Sequence, residues 1–380
     1  MRRHEQARQS DDSGARELAA AVRAVCERHA PEDRVRAIAA DGGGFDAELW
    51  KILCEDIGIG AIAVPEQYGG AGYGLDTLRH VAHELGRVLA PVPLLNAVAS
   101  TALVIGTGDQ HLITTLLPQL MSGERVVATI LSTTGRADGE QLKAVHGRDG
   151  WRVSGCASYV VGGAAADDLL LSAETDSGPA LFHIVVRSEA NPDEGLEVAP
   201  RNVLDKTRPI ATVTFDDVLA DPVAVEGELE ALIADVVDRT IAIHSAEQVG
   251  ACERVLEMAC DYARTRTQFG RPIGSFQAVK HKCADMLVDL EWARSASEAA
   301  VRAVDTNSDE RHLLSSIAHA VCSTSLVSTA QSNIQIHGGI GFTWEESAHL
   351  YFKRARTDEV FFGGVGAHWD AIAADRRVLP

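Results

Sequence analysis

The sequence predicts an α+β fold laid out as an N-terminal helical domain, a middle β domain and a C-terminal helical bundle. Apolar residues recur at three- and four-residue steps from about Ala15 to Gly123, the period falls to two between Arg125 and about Pro222, and helical periodicity returns from Glu228 onward. The expected domains are therefore residues 1–124, 125–225 and 226–380. A chain of 380 residues is longer than one core usually serves, in keeping with several packed units.

In the first domain "ARELAAAVRAVCERHA" and "LDTLRHVAHELGRVLAPVPLLNAVASTALVI" carry the helical pattern, the second broken by prolines. Between them, Pro65 and the glycines of "GIGAIAVPEQYGGAGYG" mark turns and close backbone approach. In the second domain "RVVATILST", "LKAVHGRDGWRVSGCASYVV", "DDLLLSAE", "ALFHIVV", "LEVAP" and "ATVTFDDV" are short β-branched runs separated by turn residues. In the third, helices are expected in "ELEALIADVVDRTIAIHSAEQVGACERVLEMACDYARTR", "SFQAVKHKCADMLVDLEWARSASEAAVRAVD" and "HLLSSIAHAVCSTSLVSTAQSNIQIHG". Phe276, Val279, Cys283, Met286 and Leu290 fall on one stripe, as a bundle helix requires.

Composition narrows the function classes. Thirty-five basic against fifty-four acidic residues give 35 − 54 = −19, a charge that repels phosphate backbones and argues against nucleic acid as a partner. No stretch is read as approaching the roughly 20 apolar residues of a membrane span, so membrane insertion is not expected. The N-terminus has no apolar core of signal-peptide type, which predicts a cytoplasmic protein. Cys26, Cys54, Cys156, Cys252, Cys260, Cys283 and Cys322 form no C-x-x-C pair, so no metal site is expected and the thiols are read as reduced and buried.

Two stretches carry the chemistry. In "ARTRTQFGRPIGSFQAVKHKCADM", residues 263–286, arginines and Gln268 crowd a helix end ahead of a break from Gly270 to Ser275. Such a cluster either grips a pyrophosphate, fork to oxygen, or is a solvated helix end. In "QIHGGIGFTWEESAHLYFKRAR", residues 335–356, Gly338, Gly339 and Gly341 permit either a ligand cradle or a helix-to-helix turn, and His337 and His349 read as structural.

Taken together the two stretches resemble the acyl-CoA dehydrogenase family. Its R-x-Q-F-G-x-P-I-x-x-F-Q pattern is met by Arg266, Gln268, Phe269, Gly270, Pro272, Ile273, Phe276 and Gln277; its Q-x-x-G-G-x-G-F pattern is met by Gln335, Gly338, Gly339, Gly341 and Phe342. "AVPEQYGGAGYG" resembles the family's N-terminal domain, and "HGGIGFTWEESAHLYFKRAR" resembles an actinobacterial branch acting on CoA thioesters of bulky substrates such as steroid side chains. The resemblance implies a middle domain like a β-barrel, a C-terminal four-helix bundle and a tetramer with FAD at a subunit interface. In the family the β domain holds the flavin ring, while the R-x-Q-F arginine and the Q-x-x-G-G segment reach to a neighbour's FAD. A glutamate removes the α-proton of an acyl-CoA, the flavin takes the hydride, and an electron-transfer flavoprotein takes the electrons.

The sequence departs from this pattern at the chemistry. The family's glutamate lies 24 residues after the first glycine of the G-G pair, and here that position is Phe362, in "TDEVFFGGVG". The alternative site on the preceding helix, 30 residues ahead of Gly270, is Thr240. Asp238 and Glu247 lie nearby and offer a relocated base; the plainer reading of Glu247 is an ion pair with an arginine such as Arg254. In the β domain Ser132, Thr133, Thr134 and Gly135 replace T-E-P-G, and Tyr159 and Val161 replace the Trp-x-Thr pair that addresses the ring.

By this resemblance the expected FAD contacts are Arg266, Gln268, Phe269, Gln335, Gly338 and Gly339, with Ser132 and Tyr159 the weakened contacts of the chain's own β domain. A chain that keeps what it lends but lacks its own base resembles the non-catalytic half of an α2β2 acyl-CoA dehydrogenase, with a homologous subunit as partner. The rivals are a homomeric enzyme using Glu247 or Asp238, and a structural or acyl-CoA-binding subunit without redox function.

Overall fold

The computed structural model describes residues 2–41, 44–131, 142–186 and 195–375. They fall into two compact units, each assembled from separated stretches of chain: Met1–Val35, Tyr73–Ala90 and Ile241–Pro380 in one, Arg36–Gly72 and Pro91–Thr240 in the other.

The second unit holds the sheet. Its strands are β1 (Val127–Ile130), β2 (Lys143–His146), β3 (Trp151–Val161), β4 (Asp168–Thr175), β5 (Gly178–Val185), β6 (Leu196–Pro200) and β7 (Ile210–Val223). β4 pairs along its length with β5, and on its other edge with β1 and the start of β2; β3 joins β2 to β7, and β7 returns to β5, so the sheet closes into a barrel. Closure leaves one face inward, and Val153, Ala157, Leu169, Leu171, Phe182, Val213 and Phe215 pack there. The period-two alternation of the sequence is this inward and outward alternation. Helices Leu94–Thr107, Gln110–Thr115 and Leu117–Ser122 pack in the same unit around Leu103, Leu117 and Leu170.

β3 and β7 do not pair evenly. Ala157 faces Val213 and Val160 faces Ala211, so three steps on β3 meet two on β7. The extra residue makes a bulge, and within it Tyr159 takes φ 62° and stands half-exposed.

The first unit is helical. Leu229–Thr265 enters it at Ile241, followed by Gln277–Asp305, Arg311–His337, Ala348–Asp358 and Gly364–Ala374. Arg311–His337 is the central element, packing against the other three that follow Thr265. Val255, Ala259, Met286, Leu290, Ala293, Cys322, Leu326 and Ala330 fill the core between them. Helix Gly74–Arg87 joins this unit through two glycines: a Cβ on Gly86 would lie 1.9 Å from the Glu247 carbonyl oxygen, and one on Gly250 would lie 1.9 Å from that of His83. Each helix thus needs glycine where the other's backbone crosses it. The far end of Gly74–Arg87 is capped by Asp305, whose carboxylate accepts the Leu75 and Asp76 amides at 2.7 Å each.

Two expectations change. The run Arg311–Phe342 is long and apolar enough to cross a membrane by length and composition, and 56% of its most apolar window is buried inside the protein. The apolar residues serve the core: a central bundle helix is apolar nearly all round. Cys26, Cys54, Cys252 and Cys322 are buried as expected, whereas Cys156, Cys260 and Cys283 are half-buried. No group of metal-ligating side chains occurs among the described residues.

Candidate functional site

Helix Leu229–Thr265 ends in a tight hairpin. Thr267–Gln268 pairs with Arg271–Pro272, and the Ile273 amide donates to the Arg266 carbonyl at 2.8 Å. The two turn residues, Phe269 at φ 52° and Gly270 at φ 73°, both lie in the left-handed region, as a primed hairpin turn demands. Glycine takes it freely; phenylalanine does so at a strain of about 1–2 kcal/mol. The result holds Phe269 out, 91% exposed, its ring edge-on to Phe276 and the Arg271 guanidinium over that same ring at 4.2 Å. Arg266 and Gln268 are exposed beside it.

The glycine segment closes helix Arg311–His337. His337 is buried, donates through Nδ1 to the Asn333 carbonyl at 2.9 Å, and stacks on Tyr262 with ring centroids 4.2 Å apart. Tyr262 sits one turn before Arg266 and His337 directly before Gly338, so this stack joins the two segments that the motifs single out. The structural reading of His337 holds, and this is what it structures. Gln335, Gly338 and Gly339 face outward, with no atom within 4 Å of a Cβ placed on either glycine.

At the base position the chain turns sharply between helices Ala348–Asp358 and Gly364–Ala374. Phe362 (φ 53°), Gly363 (φ 95°) and Gly364 (φ 79°) are three consecutive left-handed residues. Around Phe362 lies a set of rings: His244 at 5.6 Å and His319, edge-on, at 5.8 Å between centroids, with His368 donating from Nε2 to the Phe362 carbonyl at 3.0 Å. His244 Nε2 is 3.3 Å from Asp358 Oδ1, both groups buried. His319 has no solvent exposure, lies 4.4 Å from the His368 ring, and no hydrogen bond is made by either of its nitrogens. Burial first, then the nearby His244 and His368, push its pKa down to about 3. Phe362 is therefore set among histidine rings, and its own side chain accepts no proton.

The depressed His319 pKa has a consequence for stability. The unfolded histidine titrates near 6.5, so between that pH and about 3 the unfolded chain binds the extra proton. The contribution is complete above about 6.5 and declines as pH falls, by about 2 kcal/mol at pH 5. His368, also lowered by burial, adds in the same direction. From pH 8 to pH 5 the wild type is expected to lose stability relative to His319→Leu, whichever is the more stable at pH 8; parallel curves of denaturation midpoint against pH would contradict this.

Glu247 is not beside Arg254. Its Oε1 accepts Arg354 Nη1 at 2.7 Å, and both side chains are buried. Arg254 instead reaches Glu257 at 3.4 Å. The helix period explains the difference: Glu247 faces the bundle interior, where Ala348–Asp358 supplies Arg354 to reach it. Asp238, in the other unit, is buried.

On the barrel, the Arg201 guanidinium lies 4.3 Å over the Tyr159 ring while Nη1 donates to Thr212 Oγ1 at 2.9 Å. The face of Tyr159 is thus already engaged. Ser132, Thr133, Thr134 and Gly135 lie outside the described residues. The two segments present an arginine, amides and open glycines outward, groups whose chemistry suits a phosphate-bearing cofactor. The Tyr159 bulge, with Arg201 across it, does not reproduce a flavin ring contact through hydroxyl and indole.

A hairpin that ends one helix, a glycine break that ends another, and a closed barrel between helical stretches are the layout of an acyl-CoA dehydrogenase-type fold. Residues 12–124 match the family model "Acyl-CoA dehydrogenase, N-terminal domain", and residues 237–376 match "Acyl-CoA dehydrogenase, C-terminal domain". The chain belongs to the acyl-CoA dehydrogenase family. It is 34% identical to acyl-CoA dehydrogenase IpdE2 of Mycobacterium tuberculosis over 88% of each chain. Among solved structures it is similar to the ChsE4-ChsE5 complex from Mycobacterium tuberculosis, with a TM-score of 0.85, 27% identity and coverage of 96% of this chain and 98% of that one. It is also similar to the Tcur3481-Tcur3483 steroid ACAD G363A variant, with a TM-score of 0.84, 28% identity and coverage of 96% and 97%.

Proposed function

We propose that this chain is the non-catalytic half of an α2β2 acyl-CoA dehydrogenase, lending Arg266, Gln268, Phe269, Gln335, Gly338 and Gly339 to FAD held mainly by a homologous subunit. The single observation that carries this is Phe362: an aromatic ring, packed against the buried rings of His244 and His319, fills the position of the family's carboxylate. The complex removes the α-proton and β-hydride of an acyl-CoA, with the partner supplying the base, and passes electrons to an electron-transfer flavoprotein. FAD, when bound, supplies the hydride acceptor. Here Arg266 would answer phosphate charge, Gln268 and Gln335 would hydrogen-bond, and the glycines would admit close approach. Similarity to a steroid enzyme and to a two-component complex supports a bulky acyl group and a heteromeric assembly.

The relocated-base reading gains nothing from Glu247, whose carboxylate is buried in the bundle and held by Arg354 at 2.7 Å. Purification of the chain alone and with a co-expressed homologous subunit tests the proposal. Flavin and turnover are expected from the pair only; a yellow, active lone chain would reject it.

A further inference from the structure

Two of the three half-buried cysteines belong to adjacent antiparallel helices, Cys260 on Leu229–Thr265 and Cys283 on Gln277–Asp305. The register between these helices is fixed elsewhere. Ser245 Oγ donates to Ser297 Oγ at 2.8 Å, and Arg294 Nη2 reaches Glu253 at 3.2 Å. Moving about four turns toward the hairpin from Ser245 and Ser297 brings Cys260 opposite Cys283 on the same seam. Val255, Ala259, Met286 and Leu290 line that seam, with Cys283 packed against them. The side chains agree with the register: Cys260 lies near enough to Cys283 to act on its thiol.

We propose that Cys260 and Cys283 form a reversible disulfide that fastens the two helices flanking the Arg266–Phe276 hairpin. The reaction is exchange with a low-molecular-weight disulfide. One protein thiolate attacks it, releasing a small thiol and leaving a mixed disulfide; the second protein thiolate attacks that protein sulfur and releases the other small thiol. Two protein S–H bonds are lost, one S–S bond forms, and the oxidant carries away two electrons and two protons as two thiols.

The same surroundings set the rate. Burial, then the neighbouring Cys260, push the Cys283 thiol up to about 11, with Arg264 acting in the opposite direction. Its thiolate fraction at neutral pH is small, so closure is slow there and faster at mildly alkaline pH. The ring so formed encloses the hairpin and restricts its opening.

The test uses the full chain with oxidised glutathione at pH 7 and pH 9, followed by alkylation and tryptic mapping. The expected product links the Cys260 and Cys283 peptides and is lighter by two hydrogens than the sum of the reduced peptides. Cleavage after Arg264, Arg266 or Lys280 leaves the halves joined until reductant is added. Cys260→Ser and Cys283→Ser each abolish the link and leave one glutathione adduct on the remaining thiol. Absence of the link at both pH values, or its loss of specificity to pairs among the other five cysteines, overturns the proposal. Flavin plays no part in the readout, so the result stands apart from the heteromeric assignment.

Discussion

In the proposed two-component complex, Arg266→Ala should weaken FAD retention by about 10–100-fold, the loss of one charge-assisted hydrogen bond of about 1.5–3 kcal/mol. Arg266 is exposed at the end of its helix, its amide donating to the Tyr262 carbonyl and its own carbonyl accepting the Ile273 amide, so the backbone holds it while its side chain stands exposed. Removing the side chain leaves the fold intact and takes away only what is offered outward. Arg266→Lys should recover part of the affinity, since the charge persists and the two-point fork does not. Flavin fluorescence released on dilution reads the effect; unchanged retention in Arg266→Ala would favour a subunit without a redox role.

The largest effect on stability belongs to Arg354→Met, expected to destabilise the helical unit by about 3–5 kcal/mol. Arg354 is among the largest fully buried side chains, and its Nη1 meets Glu247 Oε1 at 2.7 Å. Deleting the cation leaves a carboxylate buried in the bundle beside the crossing of Gly86. The double variant Arg354→Met/Glu247→Leu should regain most of the loss, because burying both charges is itself expensive. Urea denaturation of the four members of this cycle measures the coupling; additive losses would contradict it.

Much of this was open to sequence reading because it is local. Period, turn residues and the two glycine-bearing motifs are written within short windows, and the family they resemble is the family to which the chain belongs. What escaped is nonlocal. The bulge that turns Tyr159 outward arises from a register with β7, some fifty residues on, and the Arg201 ring contact depends on that bulge. Arg354 reaches Glu247 across more than a hundred residues, so the nearer Arg254 was the wrong choice. Attention to carboxylates also passed over His244, one turn beyond Thr240 on the same helical face and therefore near both positions where the family places its base. For His319 no sequence signal existed; only packing brings it to Phe362.

The central claim concerns proton removal, and exchange of the α-hydrogen of an acyl-CoA in D2O addresses it without requiring turnover. The lone chain, supplied with FAD, should exchange no faster than the thioester in buffer, whereas the complex with its homologous subunit should exchange rapidly. Rapid exchange by the lone chain that disappears in Glu247→Gln or Asp238→Asn would mean that this polypeptide carries its own base.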